Sequence, residues 1–322
     1  MKLQHTRYFC LMLLLGSTLL GVLNAQSYTT FVVPEAAGAT ANSLGVQSIN
    51  KSGVIAGFLT DASGNLKAWQ RAANGNITVL VDPLDTSTPT VTSAYGIARN
   101  GTMTGYFFDT ETGFYSGFFY SGGGAFRTYN VPGQPAGTDT VVSGINDQAN
   151  QFCGFVLAPP YTTYQAFVSI NGAVSVFSVD GSNDTQCLAL NNLGQAAGSY
   201  IDGAGVTHGW VRDSNGTITI IDVPGAVTAP GAAPCYPGTV AGTTVNGIND
   251  KGFISGHYWD RSYKSHGYVL TPGGTFIKFN VPGAFQTGGG GLNAAGVMVG
   301  HWSDSSCNNA GFIFTPPTPD SE

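Results

Sequence analysis

One short element recurs six times and limits what this chain can fold into more than any other feature. Ile or Leu, usually followed by Asn, appears at Ile49-Asn50, Ile97-Ala98, Ile145-Asn146, Leu190-Asn191, Ile248-Asn249 and Leu292-Asn293. The intervals are 48, 48, 45, 58 and 44 residues. Other features keep step with it. A turn glycine follows at Gly53, Gly101, Gly194, Gly252 and Gly296, with Ala149 in the third copy. A second glycine comes next in every copy, at Gly57, Gly105, Gly154, Gly198, Gly256 and Gly300. A small residue with an aromatic behind it then recurs, as Ala68-Trp69, Gly117-Phe118, Ala166-Phe167, Gly209-Trp210, Gly267-Tyr268 and Gly311-Phe312. Self-similarity at this period marks an array in which each unit needs neighbours to bury its faces.

Each copy reads as four short strands. In the fifth they run from Thr243 to Asn249, Phe253 to Asp260, Ser265 to Leu270 and Thr275 to Val281, with a two-residue Gly273-Gly274 hairpin expected before the last. Four antiparallel strands in about 45 residues is the size of a β-propeller blade. The ends of the chain distinguish a ring from an open array. The sixth copy stops after Gly311 to Thr315, so its fourth strand is missing, while Tyr28 to Pro34 resembles the fourth strand Phe126 to Pro132 without a blade of its own. Pairing the two removes the edges that an open β-solenoid, or two stacked sheets, would leave exposed. The sequence therefore predicts an all-β, six-bladed β-propeller over residues 26–316, closed by the N-terminal strand 28–34. Its blades are expected at about 41–83, 92–133, 140–181, 185–225, 243–283 and 288–315, followed by a tail at 317–322.

The string Gly247-Ile248-Asn249-Asp250-Lys251-Gly252-Phe253-Ile254-Ser255-Gly256-His257-Tyr258, then His266-Gly267-Tyr268, then Phe279-Asn280-Val281-Pro282-Gly283-Ala284 resembles the bacterial extracellular HAF repeat family. The resemblance spans the chain after its first 25 residues and implies a secreted bacterial repeat protein. It transfers no catalytic residues. The His-Gly pair survives only at His208-Gly209 and His266-Gly267.

The N-terminus supports that compartment. Lys2 and Arg7 precede an apolar run from Phe9 to Leu23, and Ala25 offers a cleavage point, so residues 1–25 read as a signal peptide. The run is interrupted by Gly16, Ser17 and Thr18 and is too short for a span, so no membrane segment is expected after cleavage. The location expected is extracellular or periplasmic. The formal charge of −6 becomes −8 once Lys2 and Arg7 are removed, and only 9% of residues are charged. Nucleic acid and anionic membranes demand clusters of Lys and Arg, so neither is expected as a partner. No cofactor is expected.

Candidate site residues are few. Asp61, Asp109, Asp202, Asp260 and Asp304 end the second strand in five copies, and propeller topology puts all five corners on one face. They offer a cation or polyol site, but Asp also caps its own turn, and placement by the repeat favours that role. His257 and His301 occupy equivalent positions in the fifth and sixth copies, where copies one to three carry Phe58, Tyr106 and Phe155. Packing is their expected role. Gly288 to Gly291 resembles a phosphate loop but leads into a strand, not a helix. The insertion responsible for the 58-residue interval lies between Ala226 and Gly242 and shares the face of the Asp corners. Insertions in repeat proteins tend to lie on the binding face. Cys235 sits in it and Cys307 in the sixth corner, so a bridge between them is conceivable, with Cys153 to Cys187 as the other; spacing alone leaves three pairings open.

The functional expectation is a non-enzymatic extracellular module binding a glycan or protein through that face. The alternatives are a glycan-active hydrolase or lyase with acids drawn from several blades, and a cell-surface structural protein without a small ligand. Glutamate occurs only at Glu35, Glu111 and Glu322, which weakens the hydrolase.

Overall fold

The computed structural model describes residues 26–36, 43–236 and 238–317. The signal peptide expected at 1–25, the start of the first blade at 41–42 and most of the tail lie outside the described residues. Six four-stranded antiparallel sheets form a ring, a six-bladed β-propeller. Its innermost strands, one per blade, are Leu44–Ile49, Thr92–Ile97, Asp139–Ile145, Ser182–Leu190, Thr243–Ile248 and Gln286–Leu292. The sixth sheet is completed by Ser27–Phe31, which pairs antiparallel with Asn309–Thr315 from Ser27 opposite Thr315 to Phe31 opposite Gly311. The fastening also packs: Tyr28 lies 5.1 Å from the Phe314 ring, and Val33 is buried.

Each repeated residue type answers a backbone demand. The second-strand glycines sit where a Cβ would collide with a carbonyl oxygen of the inner strand, that of Gly45 at Gly57 and of Thr244 at Gly256. The third-strand aromatic covers the same glycine, and Trp69, Phe118, Phe167, Trp210, Tyr268 and Phe312 are the fully buried anchors of the six blades. Apolar clusters then form between neighbouring sheets, as where Ala56 and Ala68 of blade one meet Ala94, Met103 and Phe118 of blade two. Burial on both faces is why alternation along the strands is imperfect.

The Asn of the repeat stitches blades together. Asn249 Oδ1 accepts the amides of Lys251 and Phe253 at 3.0 and 3.1 Å, closing its own turn, while Nδ2 donates 3.1 Å to the carbonyl of Asn293 in the next blade. Asn293 donates to Asn50, Asn50 to Ala98 and Asn191 to Asn249 in the same way. Asn146 keeps its donor within its own turn, on Asn150. Ala149 takes a φ of 58°, the left-handed conformation that glycine adopts in the other five copies.

One local expectation fails. Of Gly273 and Gly274 only Gly274 has positive φ. The turn is a three-residue loop closed by Gly274 N–H to Thr271 O and Thr271 N–H to Thr275 O, both 2.9 Å. A type I turn followed by one left-handed residue needs a single glycine, whereas a two-residue turn would need both.

Candidate functional site

The corner aspartates turn inward on their own loops. Asp61 Oδ1 accepts the amides of Ser63 and Asn65 at 2.9 and 3.0 Å. Asp202, Asp260 and Asp304 repeat this with the residues two and four positions on, and Asp109 holds Glu111 and Thr112. The Lys67 ammonium, 2.7 Å away, holds the Asp61 carboxyl well below the usual range. Backbone donation from Val206 lowers Asp202, and the Asn308 side chain lowers Asp304. No group of three or more His, Cys, Asp or Glu among the described residues could hold a metal ion.

The His of the His-Gly pairs reaches the same corners. His266 bridges Asp260 and Asn280 at 2.9 and 2.8 Å, and His208 bridges Asp202 and Asp222. Both rings stack on a second-strand tyrosine, His208 on Tyr200 and His266 on Tyr258. Lys67 occupies the matching place in blade one.

Every inner strand carries a bulge, at Gln47, Tyr95, Ser143, Leu188, Asn246 and Gly290-Gly291. An extra residue re-aims a side chain out of the pleat. These positions line the narrow part of the central channel, a space of about 70 Å³ at the end carrying the Asn turns. Gly288 to Gly291 are strand residues, Gly291 in this wall and Gly288 and Gly289 in that of a wider space.

At the opposite end, between blades five, six and one, the channel widens into a cavity of about 290 Å³. Phe58, Tyr236, Trp259, His257, His301 and Asn246 are among its lining residues. Packing was the role expected of His257 and His301, and His257 does pack edge-on against Trp259 at 6.0 Å; both rings also border this space, each lying across the sheet from a small inner-strand residue, Thr244 or Gly288. The His301 ring fills the place of a Gly288 side chain. Burial pushes both imidazoles down to about 4. His257 Nδ1 donates to Gly289 O at 3.4 Å, leaving Nε2 as an acceptor. The buried Oδ1 of Asn246 has no hydrogen-bond partner.

Blades two and three fill the corresponding space. Tyr95 lies 6.1 Å from both Phe58 and Tyr106, and Tyr106 lies 5.5 Å from Tyr115. Burial raises the Tyr95 phenol and pushes Tyr106 up to about 12.

The long connector forms one wall of the cavity. It carries a small hairpin, Gly231–Ala232 against Thr239–Val240, and its Val227, Ala233 and Val240 pack with Trp259. Tyr236 meets Trp259 edge-on at 5.5 Å, and Gln286 donates to Pro234 O. The sulfurs of Cys235 and Cys307 are bonded, as are those of Cys153 and Cys187, with Cα separations of 5.2 and 5.9 Å. The fourth corner residue is left-handed throughout blades one, four, five and six: Gly64 and Gly205, but Tyr263 and Cys307. A side chain in that conformation costs about 1–2 kcal/mol. Both exceptions touch the connector with their side chains, Tyr263 against Gly231 and Cys307 through Cys235. Sequence inspection missed the cavity; the available clue was the extra residue in each inner strand.

No protein-family model and no curated protein matches the chain. Among solved structures it is similar to a mutant Aleuria aurantia lectin in complex with Fucα1-6GlcNAc. Identity is 11%, the TM-score is 0.50, and the match covers 88% of this chain and 100% of that one. AofleA from Arthrobotrys oligospora matches at 9% identity and a TM-score of 0.47, covering 91% and 84% of the two chains. TolB from Acinetobacter baumannii matches at 9% identity and 0.42, covering 82% and 52%. At such identities the likeness is one of fold. No helix among the described residues is long and apolar enough to cross a membrane.

Proposed function

We propose that this chain is a non-enzymatic module that binds a glycan through the channel mouth under the long connector. The observation that carries this reading is the cavity itself, a concave site with aromatic walls and a few convergent polar groups. The connector is an insertion on that face, and two corners accept unfavourable backbone conformations to hold it. A propeller can present a glycan site, as in the Aleuria aurantia lectin complex, though function rests on the site and not on the ring. The repeat's resemblance to HAF proteins, the N-terminal pattern and the two disulfides support a place outside the bacterial cytoplasm.

The hydrolase reading needs two carboxyl groups facing one ligand. No Asp or Glu among the described residues lines the cavity. Burial raises Asp139 and Asp184, but each accepts a backbone amide from the preceding blade, Tyr115 or Tyr164. A glycan array followed by product analysis tests the proposal. Binding without released oligosaccharide is expected; turnover would overturn it.

A further inference from the structure

Resting on that reading, we propose that the cavity between blades five, six and one takes a single uncharged, hydroxyl-rich ring, the end unit of a neutral glycan. Size, charge and hydrogen-bonding capacity agree on this class. At about 290 Å³ the space lies at the low end of ligand pockets, which start near roughly 300 Å³, so it admits one ring and not a chain of them.

Charge is the sharper constraint. None of the lining side chains is Asp, Glu, Lys or Arg, and both imidazoles are neutral near pH 7. A carboxylate or ammonium group entering here would lose its water without gaining a counter-charge, which is strongly unfavourable. A hydroxyl group loses far less and finds partners waiting. His257 Nε2 is an acceptor, and the polar side chains of Gln47, Ser303 and Asn309 also line the space. A polar group left unpaired is costly, so a ligand that hydrogen-bonds to it gains more than one that cannot. Phe58, Trp259 and Tyr236 supply flat apolar faces for the C–H side of such a ring. In blades two and three Tyr95, Tyr106 and Phe155 replace these features, which confines the cavity to one side of the ring.

The test measures binding of free monosaccharides to the intact, oxidised protein by calorimetry or ligand-observed NMR. The panel contains neutral hexoses and deoxyhexoses, their uronic acids and their amino sugars. At least one neutral sugar is expected to bind at pH 7 at least tenfold more tightly than its charged analogues. His257→Phe and His301→Phe install the residue that blades one and three already carry at that strand position, so the fold should tolerate them. Each should weaken the neutral sugar about tenfold or more, with the urea midpoint of each variant reporting its folding. Charged analogues binding equally well, or both variants retaining full affinity, would overturn the cavity assignment while leaving a glycan module intact. If neither the panel nor the array shows binding, both readings fall.

Discussion

Asn249 offers the most direct test of how the ring is held together. Asn249→Asp keeps the oxygen that accepts Lys251 and Phe253 but removes the Nδ2 donor, and points a second oxygen at the carbonyl of Asn293, 3.1 Å from the original nitrogen. The site is buried, with Asn249 only 5% exposed, so water does not readily replace the lost partner. Loss of one net hydrogen bond costs about 1 kcal/mol, and leaving two acceptors facing each other adds a similar amount, for about 2 kcal/mol together. With an m-value of about 3 kcal/mol/M, the urea midpoint should fall by roughly 0.7 M at pH 7 with unchanged slope. Asn146→Asp is the control, because its donor is spent on the side chain of Asn150, which is exposed and can turn to water. Its midpoint should move by less than half as much. Equal losses in the two variants, or a neutral Asn249→Asp, would refute the stitching role of the amide and reduce the repeat's Asn to a turn former.

Four further outcomes follow from the same contacts. Ala149→Gly should raise stability by about 0.5–1 kcal/mol in urea unfolding, since it relieves a left-handed alanine at about 1–2 kcal/mol and pays back part as chain entropy. His257 and His301 titrate near 4 when folded and near 6.5 when unfolded, so the unfolded chain binds more protons between those values. Stability from the pair should be complete above pH 6.5 and decline by about 3 kcal/mol per imidazole as pH falls to 4, and the decline should shrink in the double His→Phe variant. Replacing Cys235 and Cys307 together by Ser should cost about 2–4 kcal/mol and raise the exchange rate of connector amides measured by mass spectrometry, with the Asn turns unaffected. Deleting residues 26–33 should increase exchange in blade six more than in blades two to four, because Asn309–Thr315 loses its antiparallel partner; uniform exchange around the ring would contradict the closure.

The fold was readable because each repeated residue type performs the same backbone task in most of the six blades. Asn closes a turn and reaches the next blade, Asp caps a corner, and the second glycine yields to a carbonyl that passes too near for a Cβ. Such demands are local, so they leave a fixed residue type at a fixed spacing. The Gly273-Gly274 turn was misread for a related reason, since the dipeptide does not say which glycine carries the positive φ.

The cavity obeys the opposite logic. A ring of identical blades would have a symmetric channel, and a single pocket on one side requires the copies to differ. Its walls come from positions the repeat leaves free: the bulged residue, which is Tyr95 in blade two but Asn246 in blade five, and the second-strand residue paired with the position two before the bulge, which is Tyr106 opposite Ser93 in one and His257 opposite Thr244 in the other. Periodicity hides these positions because they share no residue type. His257 and His301 stood out only by departing from an aromatic series, and departure alone does not distinguish a packed ring from one that borders open space. The glycine opposite His301 and the aromatic insertion over the mouth decide that question, and both are contacts that the repeat spacing does not reveal. In a propeller the repeat therefore reports how the scaffold is built, while its irregularities report where a ligand can enter.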